Sequence, residues 1–279
     1  IIIVFLIFVG AFYMMKIQLL TQSSGIHSRD LQDSFLNVNG IAFITAQLVI
    51  LILWLIYIEK EKFYIILLNM ALVVTLGCLL FTESRGAILF LIITLIFSFG
   101  FNFIKTISFK SFFTLILFLA STYIYFTYNS QFLPKIQLSI DRLFGLFEFV
   151  NTNIQDDLSI NARSEILENF LNTYDQMTFG EKYYSPYPHN QFLEIFMRWG
   201  IIGLPIFIIS IKSFLKSFKY IYKRHSKNNL TFIISTIFLF TYLQSMTSLS
   251  LDNNRLLWLG FGYLIGNSEK SLRSSDLMK

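Results

Sequence analysis

Five ionisable side chains stand out because each lies at or near the start of a predicted helix. They are three arginines, one histidine and one glutamate: Arg85, Arg163, Arg255, His189 and Glu194. An arginine stays charged at physiological pH and binds an anion through two parallel N–H bonds. A neutral imidazole accepts a proton near pH 7. Because a charge close to hydrocarbon costs at least a few kcal/mol, such residues tend to be functional or paired.

Each of these residues also has a structural explanation that involves no chemistry. A loop or helix surface can carry a solvated charge, and an i,i+4 pair of opposite charges stabilises a helix. The explanations are a contact with Glu83 or lipid headgroups for Arg85, a solvated position for Arg163 and His189, an ion pair with Arg198 for Glu194, and a turn containing Asp252 for Arg255.

The surrounding elements are predicted by the apolar runs. Apolar residues make up 54% of the 279-residue chain and charged residues 14%, against about a quarter in soluble domains. Residues 41–58, 63–82 and 86–104 contain no charge. Runs of about 18 residues or more match the ~30 Å hydrocarbon core at 1.5 Å per residue. The chain is therefore predicted to be an integral membrane protein.

The predicted fold class is all-α and polytopic, with about eight transmembrane helices in one membrane domain over 1–279. The segments are 1–19, 41–58, 63–82, 86–104, 109–128, 201–218, 230–249 and 254–267. A large loop, 129–200, separates the fifth from the sixth. In it, 162–176 has the apolar periodicity of an amphipathic helix on the membrane surface, with Asn161 as its N-cap. Because residue 1 is not Met, we expect that N-terminal helices are missing.

Lysine and arginine predict the orientation. With the large loop outside, the inside segments hold 13 of the 22 basic residues and 4 of the 17 acidic ones. The stretch 212–227 alone holds six basic residues and no acidic one. Positively charged loops remain inside, so all five candidate residues are predicted to lie on the extracytoplasmic face. The net charge of +5 is explained by this topology, and no nucleic-acid partner is expected.

Three stretches resemble the bacterial O-antigen polymerase and ligase superfamily (the Wzy/WaaL type). Residues 84–87, Ser-Arg-Gly-Ala, open a membrane segment. Residues 189–194 read His-Asn-Gln-Phe-Leu-Glu, and residues 199–204 read Trp-Gly-Ile-Ile-Gly-Leu. They are similar to the His-Asn-x-x-Leu stretch and the following Gly-x-x-Gly that close the family's large outer loop. The third, Arg29 through Asn37-Val38-Asn39-Gly40, is a weaker match. The resemblance covers residues 25 to 265, approximately.

The resemblance implies a glycosyltransferase that moves a glycan from undecaprenyl diphosphate to an acceptor hydroxyl outside the inner membrane. It implies no metal and no cofactor, and the outer loops contain no Asp-x-Asp. Fixed cations would then stabilise the diphosphate, and Arg85, Arg163 and Arg255 are the candidates. His189 is the candidate general base, just before a predicted helix at 190–199, and Glu194 is the candidate orienting group or second base.

Several functions remain open at this point. A polymerase of lipid-linked repeat units of O-antigen, capsule or exopolysaccharide is favoured, with a flippase and a chain-length regulator of the same pathway as expected partners. A ligase that transfers glycan to lipid A core or to protein is the alternative within the family. A polysaccharide-lipid transporter would place ionisable residues near the bilayer midplane, and a purely structural subunit would need no outer Arg and His.

Overall fold

A computed structural model describes residues 38–82, 84–106, 165–166, 168–169, 172, 190–222, 230–247 and 254–276. At 38–39, 81, 85, 101–106 and 267–276 it describes the backbone alone. The chain divides into two compact units, Ile1–Glu148 and Phe149–Lys279. The predicted segments 1–19 and 109–128 lie outside the described residues.

The first unit contains helices α1 (Val38–Ile58), α2 (Lys62–Phe81) and α3 (Arg85–Thr106). Helix α1 packs against both of the others. The α1–α2 turn is closed by the Glu59 carboxylate, which accepts from the backbone N–H of Glu61 at 3.0 Å and of Lys60 at 2.8 Å. These two hydrogen bonds lower the pKa of Glu59.

Polar side chains inside these apolar helices bond to their own helix. Thr45 Oγ1 donates to the Ile41 carbonyl at 2.8 Å, and Thr75 Oγ1 donates to the Ala71 carbonyl at 2.7 Å. Such back-bonding satisfies a hydroxyl without water. Large apolar side chains also face outward, as at Phe97, which is 56% exposed. This surface suits a hydrocarbon environment.

Helix α3 is broken at Gly100, where φ is 63° and ψ is −179°. This left-handed φ is a conformation that glycine adopts without steric cost. The apolar helix before the break, Gly86–Gly100, is shorter than a full membrane span. The predicted segment 86–104 is therefore helical but not one straight helix.

The second unit contains α4 (Gln191–Trp199), a 3₁₀ turn (Gly200–Gly203), α5 (Leu204–Tyr222), α6 (Leu230–Ser245) and α7 (Arg255–Asp276). Helices α5, α6 and α7 pack on one another, and α4 packs on α5. Six buried side chains from α4, α6 and α7 form the core: Ile195, Phe238, Tyr242, Leu257, Phe261 and Leu264. Helix α4 therefore contributes Ile195 to the hydrophobic core of this unit.

All secondary structure in the described residues is helical, which confirms the all-α prediction for this part of the chain. Among them, Gly40–Ile58, Lys62–Leu80 and Gln191–Tyr222 are long and apolar enough to cross a membrane. The chain is therefore a membrane protein, and the count of eight segments stays a prediction. In the predicted amphipathic helix 162–176, the described positions are helical, with Ile166 buried and Glu165 and Glu168 exposed.

Candidate functional site

Helix α4 begins at Gln191, two residues after His189, and the reason is local. Asn190 is the N-cap, with extended backbone at φ −144° and ψ 123°. Its Oδ1 accepts from the backbone N–H of Phe192 at 2.9 Å and of Leu193 at 3.2 Å. This is the usual way in which asparagine satisfies the open donors of a first helical turn. The predicted helix at 190–199 is confirmed, and it leaves His189 one peptide bond before the cap.

The first residue of α4 is held by a buried polar network. Gln191 is 0% exposed. Its Nε2 donates to Ser210 Oγ of α5, and its Oε1 accepts from Ser245 Oγ of α6 at 2.5 Å. Ser210 Oγ in turn lies 3.4 Å from the hydroxyl of Tyr242. One side chain thus connects three helices, and both ends of its amide have partners, as a buried amide requires.

Glu194 lies one turn further along α4 and forms an ion pair with Arg198. Arg198 Nη2 is 2.7 Å from Glu194 Oε1. The i,i+4 pair named as the structural explanation of Glu194 is therefore present. Glu194 is 0% exposed whereas the Arg198 side chain is 20% exposed, so this is a largely desolvated pair and not a surface one.

The end of α4 is set by two glycines. Gly200 has φ 54°, the left-handed region that glycine favours. Gly203 is required by a close approach, because a Cβ there would lie 2.8 Å from Cγ2 and 2.9 Å from the backbone oxygen of Ile195. The chain then enters α5 directly. The 3₁₀ turn at Gly200–Gly203 therefore separates α4 from α5.

The other predicted site residues are distributed over both units. Arg85 is the first residue of α3 in the first unit, and the structure describes its backbone alone. Arg255 is the exposed first residue of α7 in the second unit. Arg163 and His189 lie outside the described residues.

A cap also explains the start of α7. The Asn254 Oδ1 accepts from the Leu257 N–H at 3.2 Å, so Asn254 closes this end while Arg255 remains exposed. Asp252, which belongs with Arg255 to the turn named as its structural explanation, lies outside the described residues.

The network around Gln191 was missed at the level of sequence. A weak signal was present, since Ser210, Ser213 and Ser217 recur at helical spacing in an otherwise apolar segment and all three are buried. Their spacing predicts a polar stripe on α5, but it does not identify Gln191 as the partner. No group of three His, Cys, Asp or Glu side chains within the described ranges could hold a metal ion.

Comparison with known families identifies the class. The model of the O-antigen ligase family matches residues 70–208. This range contains Arg85, Arg163, His189 and Glu194 and ends within α5. No curated protein and no solved structure matches the chain.

The chain belongs to the O-antigen polymerase and ligase superfamily, as its motifs predicted. Members of this family are glycosyltransferase-like enzymes of membranes. In the second unit, the residues of the family's His-Asn-x-x-Leu stretch that the structure describes form the N-cap and the buried first turn of α4.

Proposed function

We propose that the protein is a polymerase of lipid-linked oligosaccharide repeat units. It transfers a glycan from undecaprenyl diphosphate to a sugar hydroxyl of an acceptor unit, at the extracytoplasmic face of the bacterial inner membrane. The observation that carries this proposal is the family match over 70–208, which includes both the Ser-Arg-Gly-Ala stretch and the His-Asn-x-x-Leu stretch. The capped start of α4 supports it, because it gives the residue before Asn190 a defined attachment point.

In the proposed reaction the acceptor oxygen forms a bond to C1 of the donor sugar while the bond from C1 to the diphosphate oxygen breaks. The diphosphate leaves with the electron pair, and the hydroxyl proton passes to the imidazole of His189. Arg85, Arg163 and Arg255 bind the diphosphate oxygens and offset their charge, so that no metal is needed. None of these steps requires a cofactor.

Glu194 is assigned an orienting role. Its carboxylate already contacts the guanidinium of Arg198 at 2.7 Å and is buried. This contact fixes the carboxylate oxygen Oε1 beside the guanidinium. The ion pair therefore favours the orienting role over that of a second base.

The second candidate is a ligase, and the description of the matching family as O-antigen ligase favours it. Such an enzyme would use the same donor and the same cations with lipid A core or a protein as acceptor.

The break at Gly100 resembles the interrupted helices of transporters. It lies between Phe99 and Phe101, however, without an adjacent ionisable residue, which weighs against a transport site there.

The test is complementation of a deletion strain with His189→Ala, followed by gel analysis of the surface glycan. Because a positioned general base contributes roughly 100- to 10,000-fold, polymer formation should be abolished with normal membrane insertion. His225→Ala is the matched control, since 225 is predicted to lie inside. Normal polymer from His189→Ala would remove His189 from the mechanism.

The same gels separate the candidate functions. Collapse of the ladder to one repeat unit in the deletion strain supports the polymerase. Loss of lipid-A-attached glycan with intact lipid-linked polymer supports the ligase. Accumulation of unflipped lipid-linked units inside the cell indicates a flippase and would overturn the proposal.

A further inference from the structure

Gln191 is the buried side chain through which α4 contacts two neighbouring helices by hydrogen bonds. Its amide reaches Ser210, 19 residues away on α5, and Ser245, 54 residues away on α6. Ser245 Oγ also lies 2.7 Å from the carbonyl oxygen of Tyr242, so its single O–H is shared between that carbonyl and Gln191 Oε1, and the hydroxyl is itself held against α6. The first turn of α4 is therefore joined to helices that are distant in the sequence.

We propose that Gln191 is a positioning residue for glycosyl transfer, because its amide fixes the N-terminal end of α4 against α5 and α6. This inference rests on the proposed function and deepens it. It assigns a role to a residue that neither binds the diphosphate nor removes a proton. Gln191 acts through the chain segment that it anchors.

The argument depends on how little separates Gln191 from the candidate base. Asn190 Oδ1 accepts two hydrogen bonds from the first turn of α4, and His189 is joined to Asn190 by a peptide bond. A shift of the first turn would therefore be passed on to the backbone of His189. A displacement of about 1 Å can cost on the order of 100-fold in rate, because reaction depends on alignment of the reacting atoms.

The network is also suited to hold a position rather than to bind a ligand. Gln191, Ser210 and Ser245 are each 0% exposed, so water does not compete for their hydrogen bonds. The ring of Phe192, the next residue of this turn, packs at a tilt of 60° on the ring of Phe207 of α5 with centroids 4.9 Å apart, which also restrains the turn. The amide nitrogen and the amide oxygen of Gln191 each have a hydroxyl partner on a different helix, which restrains the orientation of the side chain.

The experiment compares Gln191→Met, Ser210→Ala and Ser245→Ala with the control Ser213→Ala. The control is the same substitution at another buried serine of α5, and Ser213 has no hydrogen bond to Gln191 among the described residues. Methionine matches the length of glutamine but cannot make either hydrogen bond. Purified variants in nanodiscs would be assayed with the lipid-linked repeat unit extracted from a deletion mutant of the source strain.

Two readouts are measured. We expect kcat to fall by about tenfold or more in the network variants, with KM changed by less than about threefold, because orientation and not donor binding is lost. We also expect faster amide hydrogen exchange of the peptide 190–199 in these variants. The control should match the wild type in both measurements.

Wild-type kcat and exchange in Gln191→Met and Ser245→Ala would overturn the inference. An equal loss in Ser213→Ala would also overturn it, because the effect would then be general loosening of the helix interface. A rise in KM at constant kcat would assign Gln191 to substrate binding instead. Absence of glycosyl transfer by the wild type would overturn the proposed function and the positioning role together, whereas the exchange data would still show whether the anchor exists.

Discussion

The ion pair of Glu194 and Arg198 shows how burial changes the meaning of a simple i,i+4 spacing. On an exposed helix such a pair contributes a few tenths of a kcal/mol, roughly. Here the carboxylate is 0% exposed and the guanidinium is 20% exposed. The two partners are therefore not equivalent, because Arg198 can still reach water whereas Glu194 depends on contacts inside the protein.

This asymmetry predicts different costs for the two substitutions. Arg198→Met removes the cation from a buried carboxylate and should destabilise the fold by on the order of 3 kcal/mol. Glu194→Gln removes the buried charge and leaves a partly solvated arginine, so it should cost less. Thermal unfolding in detergent measures both. In the double variant Glu194→Gln, Arg198→Met, stability should recover relative to Arg198→Met alone, and failure to recover would contradict this account.

At the scale of elements, α4 and the 3₁₀ turn form a defined entry to α5. Asn190 begins α4, Gly200 ends it, and Gly203 allows the turn to approach Ile195 closely. Ile195 belongs to the core shared with α6 and α7. The ends of α4 are therefore set by the Asn190 cap and by Gly200, and its central part is held by the packing of Ile195.

Gly203→Ala should lower stability because the new Cβ would meet Cγ2 and the backbone oxygen of Ile195 at 2.8 Å and 2.9 Å. The backbone oxygen cannot turn away, so a shift costing about 1–3 kcal/mol is expected. The matched control is Gly262→Ala in α7, where a Cβ would have no atom within 4 Å. That control should be neutral or slightly stabilising, since alanine favours helix over glycine. Thermal unfolding compares the two, and equal melting temperatures would contradict the packing argument.

At the scale of the whole molecule, charge distribution and helix composition are those of a membrane protein. Gly40–Ile58, Lys62–Leu80 and Gln191–Tyr222 have the length and apolarity of membrane spans. Basic residues concentrate in 212–227, the region that includes the end of α5. This distribution predicts that the end of α5 and the α1–α2 turn lie inside.

Cysteine labelling of intact cells with a membrane-impermeant maleimide tests this topology. Asp156→Cys, in the predicted outer loop, should react in intact cells. Lys60→Cys and Lys219→Cys should react only after permeabilisation. The native Cys78 provides the background, and it should stay unlabelled because it is 0% exposed within α2. The reverse labelling pattern would place the proposed site on the wrong face.

Several features of this protein followed from sequence alone because their causes are local or compositional. An apolar run of about 20 residues becomes a helix in hydrocarbon, since only internal hydrogen bonds satisfy its backbone there. The start of α4 follows from asparagine capping, and its end at Gly200 follows from the backbone freedom of glycine. The family resemblance belongs here as well, since it depends on short motifs in order.

Other features were decided by tertiary structure. The partners of Gln191 lie on α5 and α6, at separations of 19 and 54 residues. The complete burial of Glu194 is likewise a property of the packed structure. The spacing of residues along one helix cannot show which neighbour faces it, because side-chain contacts between helices are set by their packing. The break at Gly100 belongs in the same group, since glycine permits a left-handed φ and the surrounding helices determine whether it is adopted.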